Sequence, residues 1–317
     1  MKVVSDLSDA ALSVPCVLSI GNFDGVHLGH QSILRKVVER ARSLRIQPAV
    51  LTFAPHPVRV LAPSAAPKLI TTLPQKIRLL ESAGIEMLFI ATFDMAFAAL
   101  SPGDFIQRYL VDGLRAKALC VGSNFTFGHR QLGTSETLKQ WRHEFELIEV
   151  PSVSTRGIVV SSTLIRQRIQ EGKVAQAGRL LGRWFELEGR IVPGAGRGRN
   201  VTVPTLNLEP ENELVPHQGV YITRTDTGDG HSVHSITNIG TRPTFGGGDQ
   251  TIETFVLQGG VSDGTTTSRV QFLERLRDER QFDSPELLRE QILRDVQAAN
   301  TFFRRLKLSD SARIHTN

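Results

Sequence analysis

Apolar and polar positions follow two different rhythms along the chain, and the change comes near residue 183. Before it, short apolar runs at 17–20, 49–53, 87–93, 118–121 and 147–150 have the length and purity of buried strands. Between them lie amphipathic stretches. Residues 31–44 place Ile33, Leu34, Val37, Val38, Ala41 and Leu44 on one helical face, and 74–83, 102–110 and 162–181 also read as helices. Strands spaced by helices predict an α/β domain with a doubly wound parallel sheet, whose ligand lies at the carboxyl ends of its strands.

After Gly182 the runs at 186–192, 219–224, 233–239, 251–257 and 269–273 are strand-like and are separated by segments rich in Gly, Asp, Asn and Thr. This pattern predicts a small antiparallel β-barrel. Ser284, Pro285 and Glu286 then form a helix start, with the hydroxyl as N-cap and proline at the first helical position. Leu288, Ile292, Val296 and Phe303 continue it as a closing C-terminal helix. There is no internal repeat and no long linker, so two domains are expected, 1–183 and 184–317.

Composition narrows the classes without choosing among them. The 317 residues are 40% hydrophobic and 22% charged, which excludes a disordered or collagen-like chain and leaves each domain enough residues for its own core. Cys16 and Cys120 sit in apolar runs and read as buried free thiols of a reducing compartment. No apolar stretch approaches the ~20 residues of a membrane span, and Asp6 and Asp9 fall where a signal peptide would be apolar, so a cytoplasmic protein is expected. The net charge of +5 is uneven: residues 1–183 hold 22 Lys and Arg against 14 Asp and Glu, whereas 184–317 hold 15 against 18. A basic first segment suits an anionic ligand, although a solvated basic surface has the same signature.

The most specific string is Gly21-Asn-Phe-Asp-Gly-Val-His-Leu-Gly-His30, between the first strand and the first helix. Glycines let the backbone approach a phosphate, the helix start supplies free N–H groups, and His27 and His30 share one face of the first turn. A zinc site is disfavoured because no third ligand lies nearby. This string resembles the HxGH signature of nucleotidyltransferases, and with it the chain resembles the bacterial bifunctional riboflavin kinase/FMN adenylyltransferases. Further matches are Thr52-Phe-Ala-Pro-His-Pro57, Val121-Gly-Ser-Asn-Phe-Thr-Phe-Gly128 and Ser161-Ser-Thr-Leu-Ile-Arg166.

The resemblance implies that Gly21, Phe23, Asp24, Gly25 and Gly29 bind the nucleotide; Asp24 is read as an organiser of that loop and not a base. His27, His30, Asn124, Ser162, Thr163 and Arg166 would contact ATP, Arg166 bracing pyrophosphate from the side opposite the histidines. His56 is either a further ligand contact or a rigid loop residue between two prolines. A phosphate nucleophile is already ionised at neutral pH, so this site needs no general base.

The second constellation comprises Gly194, Gly196 and Gly198 in a glycine-rich turn, followed by Pro204-Thr-Leu-Asn207. Thr205 and Asn207, two apart on an extended segment, face one side and offer oxygens suited to Mg²⁺ bound to phosphates. The string resembles the Pro-Thr-Ala-Asn motif of riboflavin kinases, with Leu206 in place of Ala and its side chain expected to face away. Asn238-Ile-Gly-Thr-Arg-Pro-Thr-Phe245 and Glu253 also match, which implies that Glu253 is the catalytic carboxylate and Asn238 a binding residue. A base is useful there because a ribityl hydroxyl is far from ionised at neutral pH. Arg277 either borders the flavin or forms an ordinary salt bridge.

Leu164, Phe255 and Gly133-Thr134 depart from the family pattern. Leu164 and Phe255 leave open a monofunctional adenylyltransferase whose barrel only binds flavin. The main expectation is an enzyme that uses ATP, Mg²⁺, riboflavin and FMN to make FAD, as a monomer or weak homo-oligomer with no membrane partner. Nucleic-acid binding is disfavoured because stacking aromatics are not interleaved with the positive charge, and flavin sensing because a sensor needs no His27, His30 and Glu253 together.

Overall fold

The computed structural model describes residues 1–5, 14–193, 205–226, 232–242, 249–257 and 265–314. It divides into two compact units, Met1–Ser162 and Thr163–Asn317.

The first unit runs β1 (Lys2–Val4), β2 (Cys16–Ile20), α1 (Leu28–Leu44), β3 (Gln47–Ala54), α2 (Pro57–Leu61), α3 (Leu73–Ser82), β4 (Met87–Thr92), α4 (Met95–Ala98) and α5 (Pro102–Phe105). The last continues as a π-helical stretch, Ile106–Gly113, before β5 (Ala116–Gly122), α6 (Ser135–Lys139), β6 (Glu146–Val150) and the hairpin β7 (Ser154–Thr155) and β8 (Ile158–Val159). Six strands form one sheet in the order β1-β4-β3-β2-β5-β6, parallel throughout. Neighbouring residues serve opposite faces: Leu18, Leu51, Phe89 and Leu119 enter one core, and Val17, Val50, Leu88 and Ala118 enter the other with Leu34, Val37 and Ala41 of α1. A sheet buried on both faces is the expected doubly wound arrangement. Strand order reverses at β2, which has β3 on one side and β5 on the other, so the ligand crevice opens beyond the carboxyl ends of β2 and β5.

The second unit begins with α7 (Ser162–Gln170) and α8 (Val174–Leu181). A single helix over 162–181 was expected; the chain instead breaks at Gly172, φ 71°, where a Cβ would stand 2.9 Å from the Tyr221 hydroxyl. That packing, together with a hydrogen bond from the His217 N–H to the Ile169 carbonyl at 3.3 Å, groups these helices with the barrel. The boundary between compact units therefore precedes residue 183.

The barrel strands are β9 (Phe185–Val192), β10 (Thr205–Pro210), β11 (Gly219–Asp226), β12 (Ser232–Arg242), β13 (Asp249–Val256) and β14 (Thr267–Arg277). They close in the order β10-β13-β12-β11-β14-β9. Inside, buried hydroxyls form a chain: Thr225 to Ser235 at 2.7 Å, Ser235 to Thr223 at 2.8 Å, Thr223 to Thr237 at 2.8 Å and Thr237 to Thr254 at 2.9 Å. Each hydroxyl can donate once and accept twice, so a chain satisfies all of them away from water. Outside, the final helix α9 (Pro285–Ile314) lays Ala299 and Phe303 on Val220, Ile222, Ile236 and Leu273.

Candidate active sites

The chain leaves β2 at Ile20 and reaches α1 through a loop with three left-handed residues, Phe23 (φ 47°), Gly25 (φ 80°) and Val26 (φ 38°). Such backbone in non-glycine residues persists only where surrounding contacts over-determine it, and Asp24 supplies them. Its carboxylate, only 2% exposed, accepts from the N–H groups of Ile70 (3.0 Å) and Thr71 (3.2 Å) and from the Thr71 hydroxyl (3.3 Å). Ser162 donates to the Asp24 carbonyl at 3.0 Å. Lys76 is buried near this carboxylate; burial lowers its pKa and the Asp24 charge opposes that. These contacts tie Asp24 to the 70–71 backbone and to Ser162.

His27 is the N-cap of α1, its Nδ1 accepting from the His30 N–H at 3.3 Å. An accepting Nδ1 carries no proton, so the N–H of the neutral ring is at Nε2. The two imidazoles are stacked, centroids 3.7 Å apart and planes 15° from parallel, and Phe23 borders His30 at 5.1 Å. Gly29 makes this possible: a Cβ there would stand 3.0 Å from His27 Cε1 and 3.1 Å from Nδ1. At Gly21 a Cβ would press on the Phe23 ring at 3.3 Å.

His56 caps α2, its Nδ1 accepting from the Val58 N–H at 3.3 Å, a local bond of the kind that stiffens the loop. Asn124 follows β5 and lines a cavity of about 740 Å³ together with Gly21 and Asn22. Its apolar wall, missed by the sequence reading, includes Phe53, Phe93, Phe97, Phe125 and Phe127. The signal was present in the strings Thr52-Phe, Thr92-Phe and Asn124-Phe-Thr-Phe, but no periodicity says that separate loops meet. Gly133 admits Phe127, whose ring would lie 2.7 Å from a Cβ there. Thr163 and Arg166 lie on α7, within the second compact unit.

The other site is a row across the barrel's outer face. Asn207 of β10 pairs with Glu253 of β13, and Glu253 pairs with Asn238 of β12. Directly opposed side chains share a face with Cβ atoms about 5 Å apart. Thr205 is on that face too, two residues before Asn207, while Leu206, Thr237, Ile239 and Thr254 alternate inward and are buried. Leu206 thus faces away from the site. Phe255 lies on the outer face, paired with Thr205. Thr205 and Asn207 offer neutral oxygens, a donor set that fits Mg²⁺ carried chiefly by nucleotide phosphates. No group of three His, Cys, Asp or Glu able to hold a metal occurs among the described residues. Gly194, Gly196 and Gly198 lie outside the described residues.

Arg277 forms a salt bridge with Asp295. Its Nε reaches both Asp295 carboxylate oxygens at 3.1 Å, its Nη2 reaches Oδ2 at 2.8 Å, and its Nη1 donates to the Asp278 carbonyl at 3.0 Å. This fork fastens α9 to the end of β14.

Family models match both halves of the chain. A family model described as FAD synthetase matches residues 10–164, and one described as riboflavin kinase matches 181–303. The bifunctional riboflavin kinase/FMN adenylyltransferase of Escherichia coli (strain K12) is 34% identical over 290 residues, 91% of this chain and 93% of that protein. Its counterpart in Bacillus subtilis (strain 168) is 34% identical over 297 residues, 92% and 93% of the two chains. Among solved structures, one described as a macrolide-efflux protein from Streptococcus pneumoniae superimposes with a TM-score of 0.86 at 29% identity, covering 94% of this chain and 98% of its own. No helix among the described residues is long and apolar enough to cross a membrane.

Proposed function

This chain belongs to the family of bifunctional riboflavin kinase/FMN adenylyltransferases, and from that premise we propose how its residues divide the two reactions. The enzyme phosphorylates riboflavin to FMN with ATP, then transfers an adenylyl group from ATP to FMN, giving FAD and pyrophosphate.

Adenylyl transfer belongs to the loop beyond β2. An FMN phosphate oxygen attacks the α-phosphorus of ATP; the new P–O bond forms as the bond to pyrophosphate breaks. The nucleophile arrives ionised, so the residues supply position and charge. The N–H at His27 Nε2, the His30 ring and the first N–H groups of α1 face the phosphates. The aromatic cavity takes the isoalloxazine, with Asn124 at its phosphate end. For Ser162, Thr163 and Arg166 the assignment to ATP rests on the sequence motif, as does that of Gly194, Gly196 and Gly198 in the kinase half.

Riboflavin phosphorylation belongs to the barrel. Glu253 accepts the proton of the ribityl hydroxyl as that oxygen attacks the γ-phosphorus of ATP and ADP leaves. Thr205 and Asn207 would hold the nucleotide and its Mg²⁺, which would neutralise phosphate charge. The row Asn207–Glu253–Asn238 carries this assignment, because it puts a base and metal-compatible oxygens on one face. By function the division lies at 183/184. The enzyme acts in the cytoplasm as a monomer or weak homo-oligomer, with no nucleic-acid partner.

A chromatographic time course with riboflavin, ATP and Mg²⁺ tests the assignment. Glu253→Gln should leave riboflavin unconsumed yet convert supplied FMN to FAD, and His30→Ala should accumulate FMN. Either variant retaining its own reaction at full rate overturns that site.

A further inference from the structure

We propose that Glu279 is a positioning residue of the kinase site, holding the Asn238 carboxamide in the orientation that serves Glu253; this rests on the barrel-face reading above. Glu279 follows the end of β14, where Arg277 is locked by Asp295 and its Nη1 holds the Asp278 carbonyl at 3.0 Å. That anchorage fixes where the next residue emerges. The Glu279 carboxylate comes to lie on Gly240 of β12: a Cβ there would stand 2.8 Å from Glu279 Cδ and 3.0 Å from Oε2. Oε1 accepts from Asn238 Nδ2 at 3.3 Å.

Gly240 does not have the left-handed backbone that calls for glycine, and glycine weakens a strand interior. Its lack of a side chain makes room for the carboxylate. An exposed, long hydrogen bond returns little stability, so the pair is not explained as a fold device. It has a direct chemical consequence. A carboxylate can only accept, so Glu279 holds the amide NH₂ on its own side. The Asn238 carbonyl is then left for a donor, and the donor this face must bind is the hydroxyl that Glu253 deprotonates. Without Glu279 the amide is free to turn and give its N–H to Glu253, occupying an oxygen that must take the hydroxyl proton.

The full chain is tested as Glu279→Ala, Glu279→Gln and Gly240→Ala beside Glu253→Gln, with riboflavin phosphorylation and adenylylation of supplied FMN measured on each preparation. Glu279→Ala and Gly240→Ala should lose about tenfold or more in kcat of the kinase reaction, with KM for riboflavin within about twofold. Glu279→Gln, which keeps an acceptor oxygen, should stay within about threefold of the parent, and adenylylation should be unchanged throughout. Undiminished kcat in Glu279→Ala or in Gly240→Ala, equal loss in the Gln and Ala variants, or joint loss of both activities would overturn the proposal. If Glu253→Gln itself still phosphorylates riboflavin, the reading of the barrel face fails; if it is inactive while Glu279→Ala is not, only this inference fails.

Discussion

The two candidate sites are built in opposite ways. The loop beyond β2 is an interior construction: Asp24 is buried among three donors, His27 is 6% exposed, and glycine at 29 lets the His27 ring fold over the helix start. The proposed kinase face is a row of exposed and half-buried side chains whose spacing follows from strand register. The difference follows the chemistry. An ionised phosphate nucleophile needs rigid placement against other phosphates, whereas an alcohol needs a base free to take a proton.

The largest expected effect is at that base. Glu253→Gln should lower riboflavin phosphorylation about a thousandfold and leave adenylylation intact, as followed by separation of the three flavins. Gly29→Ala tests the opposite kind of site. A Cβ 3.0 Å from His27 forces its ring to shift by a few tenths of an ångström, and a loss of about tenfold in FAD formation with normal FMN formation is the predicted outcome.

Asp24→Ala strips partners from the buried N–H groups of Ile70 and Thr71 and should destabilise the first unit by about 2–3 kcal/mol in denaturant melts. An unchanged midpoint would remove Asp24 as the organiser. Phe125→Ala should raise KM for FMN about tenfold with little change in kcat, since stacking on a flavin is worth about 1–3 kcal/mol.

The smallest effect uses the thiols as reporters of the first unit. Burial pushes both Cys16 and Cys120 up to about 12. Their folded pKa exceeds the unfolded value of roughly 8.5, so their stabilising contribution is complete below that value and declines as pH rises toward 12. Alkylation at pH 8 should be slow in the folded protein and fast in denaturant. Rapid labelling of the folded chain would mean that the first unit opens far more readily than its packing implies.

Much of this was legible beforehand for identifiable reasons. Strands 17–20 and 118–121 were visible because a sheet covered on both faces needs uninterrupted apolar runs, and the histidine loop because glycines and paired imidazoles have few other uses at a strand–helix junction. The break at Gly172 was hidden, because an apolar pattern that resumes in phase looks like one helix. So was the phenylalanine wall, whose rings come from β3, from α4 and from the loops after β4 and β5.

Periodicity and local chemistry travel along the chain, and from them the sequence alone determined the two kinds of domain, while the resemblance of its motifs to a known family supplied both reactions. Tertiary structure decided the rest, because it depends on which distant residues become neighbours. It put the Asp24 carboxylate against Ile70 and Thr71, gave Arg277 to Asp295, and laid Glu279 on a glycine of another strand. Hydrogen bonds and steric exclusion act over about 3 Å, and no pattern in one dimension carries that distance.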